Sequence, residues 1–132
     1  MRIGELARRL EISTRTLRHY ESPGLLPGRR AANGYRVYDE DDVRAVREIR
    51  MLVGLGFALE DTRPFVACLR SGHELGAACP DSAALLRRRI AEVDGYVDRL
   101  RAVREELGEQ LAQATRARCE FSAEFSPGIS AG

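Results

Sequence analysis

The stretch Arg15-Thr16-Leu17-Arg18-His19-Tyr20-Glu21 decides how this chain is read. It has helical propensity over about two turns, ends at Ser22-Pro23-Gly24, and is rich in Arg, Thr and Tyr. Ser13 or Thr14 supplies a hydroxyl suited to cap its N-terminus. Upstream, Ile3-Gly4-Glu5-Leu6-Ala7-Arg8-Arg9-Leu10 puts Ile3, Leu6, Ala7 and Leu10 on one helical face, and Glu11-Ile12 breaks the pattern. Two short amphipathic helices joined by a tight turn, the second one basic, form a helix-turn-helix. Downstream, the apolar clip Leu25-Leu26-Pro27 leads into Arg29-Arg30-Ala31-Ala32-Asn33-Gly34-Tyr35-Arg36-Val37-Tyr38. Asn33-Gly34 predicts a tight hairpin turn, because both residues tolerate positive φ. With Arg29, Arg30, Arg36, Tyr35 and Tyr38 on its flanks, this hairpin is a basic wing beside a basic helix.

The charge distribution agrees with that placement. The net charge is only +1, but residues 1–38 hold eight arginines against Glu5, Glu11 and Glu21, a local balance of +5, which leaves about −4 for the remainder. A basic head on a slightly acidic body is the pattern of a polyanion-binding domain with a separate assembly element. All 21 basic residues are arginine, a bias that coding composition explains as well as function does. At 132 residues, with 44% hydrophobic and 31% charged residues and no tryptophan, the chain suits one compact helical domain plus an extension. No apolar stretch approaches the ~18 residues of a membrane span, and no secretory signal opens the chain. The expectation is therefore a cytoplasmic protein with no membrane partner, its Cys68, Cys79 and Cys119 free thiols. No cluster of acids and nucleophiles and no phosphate-binding glycine loop points to an enzyme.

Beyond the wing, the carboxylates of Asp39–Asp42 suit a helix N-terminus, and Val43, Val46, Ile49 and Val53 continue an apolar stripe to Gly54 and Gly56. Residues 59–69 read as a further helix that Pro64 should kink or shorten, with Cys68 on its apolar face as a core residue, and residues 70–78 read as a linker. From Pro80, with Cys79 as N-cap, one long periodic element begins. Ile90, Val97 and Leu111 fall at a positions and Leu86, Val93, Leu100, Leu107 and Ala114 at d, with Arg104 as a polar a residue that can fix register. Its roughly 36 residues make a rod of about 50–55 Å, too long to fold back on the head. A second copy of the chain is the least demanding partner. The expected fold is therefore mainly α: a winged helix-turn-helix head with a small β-hairpin wing over residues 1–75, a long dimerising coiled-coil helix over 79–118, and a short flexible tail over 119–132.

Taken in order, Ile3-Gly4-Glu5-Leu6-Ala7, Thr16-Leu17-Arg18-His19-Tyr20-Glu21, Gly24-Leu25-Leu26-Pro27, Asn33-Gly34-Tyr35-Arg36-Val37-Tyr38 and Leu55-Gly56-Phe57 closely resemble the MerR family of bacterial transcriptional regulators. The resemblance covers residues 1 to about 70 in motif detail and to about 118 in layout. It implies a homodimer joined by an antiparallel coiled coil that binds double-stranded promoter DNA between elements set too far apart for good engagement by RNA polymerase. Activation then bends and untwists that DNA, which is indirect readout. In the recognition helix, Thr14, Arg15, Thr16 and Arg18 carry donors long enough to reach base edges or phosphates. The resemblance singles out Arg15 and Arg18, gives Tyr20 a phosphate, and matches Arg36 and Tyr38, and more weakly Tyr35, to backbone-gripping positions of the wing.

The same resemblance places Cys79 where metal-sensing members carry a ligand thiolate just before the dimer helix. In an antiparallel dimer Cys79 of one chain approaches Cys119 of its mate, a pair suited to a soft ion such as Cu(I) or Hg(II), or to Zn(II) with a third ligand such as His73. Metal sensors of the family usually carry two cysteines beyond the dimer helix, and here Cys119 is followed by Glu120-Phe121-Ser122. Thiol oxidation is the other effector chemistry these cysteines allow. The contrasting functional expectation is an effector-independent architectural or excisionase-like DNA-bending protein, for which the long dimer helix is superfluous.

Overall fold

The computed structural model describes residues 1–26 and 29–120, with side chains as far as Arg118. Pro27 of the apolar clip, the tail after residue 120 and the Cys119 side chain lie outside the described residues. The chain divides into two compact units, Met1–Arg89 and Ile90–Gly132.

The first unit opens with α1 (Ile3–Leu10), which buries Leu6, Ala7 and Leu10. Its end is set by Glu11, a non-glycine residue in the left-handed region (φ 56°), and the Ile12 N–H reaches back to the Ala7 carbonyl at 3.0 Å. α2 (Thr14–Glu21) follows after Ser13, whose hydroxyl accepts the Thr16 N–H at 3.1 Å, so Ser13 rather than Thr14 is the cap. The wing is β1 (Arg29–Arg30) paired antiparallel with β2 (Arg36–Val37), in the register Arg29 with Val37 and Arg30 with Arg36. Its turn is not the two-residue form expected of Asn33-Gly34. Of these two only Gly34 has positive φ (84°), the Gly34 N–H bonds the Ala31 carbonyl at 2.9 Å, and the Asn33 side chain accepts the Tyr35 N–H. A three-residue loop with glycine in the left-handed position results, because the Asn33 carboxamide turns the chain locally without needing positive φ itself.

α3 (Glu40–Gly54) starts at a complete capping box, in which Asp39 accepts the Asp42 N–H at 3.1 Å and Asp42 accepts the Asp39 N–H at 2.9 Å. Asp42 is buried and also pairs with Arg70 at 3.0 Å, which ties the start of α3 to the end of α4 (Arg63–Arg70). The helix expected over residues 59–69 is split: a 3₁₀ turn, Leu59–Thr62, precedes α4, and Pro64 sits in the first turn of α4. Proline lacks the N–H that an α-helix would need deeper inside, so the chain restarts its helix there. One apolar cluster joins α1, α2, the wing and α3 through Leu6, Leu17, Tyr20, Leu26, Tyr38, Val43, Val46 and Ile49. A second is built by Leu52, Phe57 and Phe65, the two rings 5.7 Å apart, with Leu85 and Leu86 from α5 (Pro80–Glu120) against it. Leu86, assigned to the coiled-coil seam by its spacing, is thus part of the head, because the first turns of α5 close its second core. Arg89 Nε donates to the Leu55 carbonyl at 3.0 Å across Gly56, whose φ of +93° leaves no space for a side chain under the Arg89 guanidinium.

Residues 70–78 are less of a free linker than their composition suggests. A 3₁₀ turn, Gly76–Ala78, carries a buried Gly76, where a Cβ would meet Glu48 Oε1 at 2.6 Å and the Phe65 carbonyl at 3.1 Å. Cys68 is buried as expected, but it is joined to Cys79 in a disulfide with Cα atoms 6.0 Å apart. The expectation of three free thiols is corrected for these two. They lie 11 positions apart in sequence, and only the fold-back of this segment along α4 brings them together.

In the second unit α5 continues from Ile90 to Glu120. Ile90, Val93, Val97, Leu100, Leu107 and Leu111 are all exposed on the single chain, and Tyr96 and Val103 widen the stripe beyond the a and d positions.

The Asp39 carboxyl is held below its ordinary range, chiefly by the Asp42 N–H, which outweighs the cost of desolvation, with the Asp42 side chain and the charge of Arg29 adding to it. A lowered carboxylate pKa adds stability that is present above about pH 4 and lost as pH falls through the folded value. Asp39→Ala should cost about 1 kcal/mol in denaturant unfolding at pH 7. Asp39→Asn should retain most of the cap, and its deficit relative to wild type should shrink as pH drops toward 3. A deficit that grows on acidification would refute this account.

Candidate nucleic-acid interface

Leu17 and Tyr20 turn inward from α2, which fixes its outer face: Arg15, Arg18 and His19 follow the complementary spacing and are all exposed. Thr14 and Thr16 are half-buried at the flanks, and the Thr16 hydroxyl lies 2.9 Å from that of Ser13, within the cap. The Tyr20 ring is 6% exposed, and its hydroxyl has no hydrogen-bond partner among the described residues. Burial, offset partly by the charge of Arg50, raises the Tyr20 phenol above its ordinary value, so it stays a proton donor at neutral pH.

The wing stands beside this helix and is locked to it through one carboxylate. Glu21, the last residue of α2, pairs with Arg36 Nη1 at 3.0 Å and accepts the Tyr38 hydroxyl. Tyr38 is itself fixed at its backbone, its N–H donating to the Met1 carbonyl at 2.6 Å. Tyr35 is 54% exposed, and the Arg2 guanidinium stacks 3.8 Å from the centre of its ring. Arg30 Nη1 donates to the Gly34 carbonyl at 2.9 Å and stiffens the hairpin tip. Arg2, Arg18, Glu21, Tyr35, Arg36 and Tyr38 line one open cleft of about 290 Å³ between recognition helix and wing.

The residues expected to contact DNA therefore separate into kinds. Arg15 and Arg18 present exposed guanidinium groups with no partner among the described residues. Arg36 and Tyr35 sit on the exposed wing, Arg36 already oriented by Glu21. Tyr20 offers its hydroxyl from a buried ring. Tyr38 departs from the expected surface role: it is 4% exposed, and its hydroxyl is committed to Glu21. Sequence reasoning missed Arg2 and Glu21. Arg2 counted only toward the basic balance, and Glu21 only as the end of a motif, since neither spacing nor charge reveals a partner 15, 17 or 33 positions away.

A family model described as "MerR HTH family regulatory protein" matches residues 1–66, and one described as "MerR, DNA binding" matches residues 43–110. The chain belongs to the MerR family. It is a DNA-binding transcriptional regulator, and its relatives are regulators rather than enzymes. The HTH-type transcriptional regulator HmrR of Rhizobium leguminosarum bv. viciae is 33% identical over 132 residues, spanning 97% of this chain and 99% of its own. ZntR of Escherichia coli K12 is 32% identical over 107 residues, 80% of this chain and 74% of its own. The nodulation protein NolA of Bradyrhizobium elkanii is 35% identical over 132 residues, but the match spans only 60% of NolA. Among solved structures, the regulator PbrR691 from Ralstonia metallidurans CH34 in complex with lead(II) is 35% identical, with a TM-score of 0.63 and 83% of each chain covered. HiNmlR, a MerR-family regulator bound to promoter DNA, shares the fold at 24% identity and a TM-score of 0.55, covering 89% of this chain and 92% of its own. No helix among the described residues is long and apolar enough to cross a membrane.

Of the metal residues named from sequence, the MerR-type chain places Cys79 against Cys68 and His73 of the same protomer. The Cys119 side chain lies outside the described residues.

If Glu21 couples the wing to α2, then Glu21→Gln keeps the shape and removes the charge that orients Arg36. Stability should fall by about 1 kcal/mol, and amide exchange at Val37 and Tyr38 should accelerate by roughly tenfold for each 1.4 kcal/mol lost in local opening. Unchanged protection in the wing would show that the clamp has no such role.

Proposed function

We propose that this regulator binds promoter spacer DNA as a homodimer and controls transcription by distorting it. The observation that carries the reading is the shared cleft: the outward arginines of α2 and the Arg2–Tyr35–Arg36 edge of the wing flank one basic surface built on a rigid Glu21 clamp. Arg15 and Arg18, with Thr14 and Thr16 beside them, enter the major groove. Tyr20, Tyr35 and Arg36 grip the flanking phosphates, and Tyr38 positions the wing rather than touching DNA. The head comprises residues 1–75 and the dimerising helix residues 79–118, with the tail from 119. In the second unit the stripe Ile90–Leu111 is the seam where a second copy packs antiparallel, burying apolar side chains that the single chain leaves in water. RNA polymerase is the partner on the realigned promoter, and the cytoplasm is where that promoter lies.

The effector class that suits this arrangement is a soft metal ion, Cu(I), Hg(II) or Zn(II), read through Cys79, with the partner's Cys119 as the second thiolate. PbrR691, 35% identical, was solved with lead(II). An effector-independent architectural protein is the competing reading. Footprinting separates the two: protection of a two-fold symmetric spacer supports the regulator, and binding without sequence preference supports the alternative.

Arg18→Ala should weaken operator binding by about 1–3 kcal/mol and relax specificity at one base position. Affinity of the wild type should fall steeply with salt, since several phosphates are neutralised per protomer. A titration in which Arg18→Ala binds as wild type does removes Arg18 from the interface. Leu100→Glu, at an exposed seam position, should leave the head folded by circular dichroism while sedimentation reports a monomer and operator affinity drops by more than about a hundredfold. A dimer that survives this substitution would place the seam elsewhere.

A further inference from the structure

Three metal-ligating side chains that the DNA-binding reading does not use meet beside the start of α5. Cys68 lies in α4 and is 2% exposed, Cys79 is the residue before α5, and His73 is exposed on the turn between them. Their ligand atoms all lie within 4.8 Å of one another, and His73 Nδ1 is 3.8 Å from Cys79 Sγ.

The turn that presents His73 is fixed by the end of α4. Gly72, with φ +102°, donates its N–H to the Leu69 carbonyl at 3.1 Å, the His73 N–H reaches the Cys68 carbonyl at 3.4 Å, and Arg44 holds the His73 carbonyl at 3.3 Å. The backbone therefore delivers the imidazole to the cysteines independently of any bond between them. A tetrahedral zinc ion with Zn–S near 2.3 Å and Zn–N near 2.0–2.1 Å requires S···N of about 3.6 Å and S···S of about 3.8 Å. The Cys79–His73 separation is already within a few tenths of that. A Cα–Cα distance of 6.0 Å lets the two sulfurs reach their spacing by side-chain rotation.

We propose that, as a dithiol, Cys68, His73 and Cys79 of one protomer bind a single thiophilic divalent ion of the zinc class. The fourth position faces solvent on the His73 side and holds water, and the Cys68–Cys79 disulfide is the oxidised, metal-free form of the same site. Two thiolates and a neutral imidazole leave the zinc complex uncharged, which suits a site with one buried ligand. The disulfide opens by exchange with two equivalents of a small thiol, giving two protein thiols and the small disulfide. Metal binding then releases one proton from each cysteine to solvent. His73 Nδ1, now 3.3 Å from both the Ser71 hydroxyl and the Cys68 carbonyl, turns to the metal, and the Ser71 hydroxyl keeps its bond to that carbonyl at 2.8 Å.

This site shares Cys79 with the cross-protomer pairing above but needs no residue of a second chain, and it ties α4 to the residue that caps α5. The test is titration of Co(II) into the full-length protein after phosphine reduction without oxygen, read by absorption. We expect one Co(II) per protomer with thiolate-to-cobalt charge transfer and the visible bands of tetrahedral cobalt. Cys119→Ser should leave both unchanged. His73→Ala, at an exposed position that does not endanger folding, should weaken binding by about tenfold or more while keeping two-thiolate charge transfer. Cys68→Ser should abolish tight binding while operator binding in the absence of metal shows that its head is folded. Binding lost in Cys119→Ser and kept in Cys68→Ser would overturn the proposal while leaving the cross-protomer reading standing. No binding by the reduced wild type would overturn both, and unchanged affinity in His73→Ala would remove the imidazole from the site.

Discussion

The placement of the wing beside α2 depends on the carboxylate of Glu21. A two-stranded hairpin of two residues per strand has almost no stability of its own. Here it is held because Glu21, at the end of the recognition helix, accepts the Tyr38 hydroxyl and pairs with Arg36 while the Tyr38 ring fills the core between α1, α2 and α3. The pairing lies at the edge of the core, with Glu21 only 14% exposed and Arg36 43% exposed, so one side of the ion pair is largely desolvated and the other faces solvent. This compromise leaves Arg36 oriented rather than neutralised. Arg2 stacked on Tyr35 extends the same edge, so helix and wing present one basic surface in fixed register.

The head closes on itself with the start of the dimer helix. Leu85 and Leu86 complete the cluster around Leu52, Phe57 and Phe65, and Arg89 caps the Leu55 carbonyl across a glycine that no other residue could replace without strain. The helix therefore changes role along its length. Its first turns are core, and from Ile90 its apolar residues stand in water on a single chain and call for a second copy.

The cysteines lie where α4 meets the start of α5. Cys68 hangs from α4 and Cys79 precedes α5, so whatever joins them, a disulfide or a metal ion, fastens α4 to the first turn of α5.

Much of this was legible in the chain itself, and the reason is local. Ser13 before Thr14, the carboxylates of Asp39 and Asp42, the Pro80 start and the inward spacing of Leu6, Leu10, Leu17, Val43 and Val46 each act over one or two helical turns, so order and spacing determined the helices, the wing and the basic face. What the tertiary structure alone decided involves partners far apart in sequence. Glu21 meets Arg36 and Tyr38, Arg2 meets Tyr35, Asp42 meets Arg70, Leu86 leaves the seam for the head, and Cys68 finds Cys79. None of these pairs has a periodic signature, because each is created by chain reversals whose geometry depends on how the whole core packs.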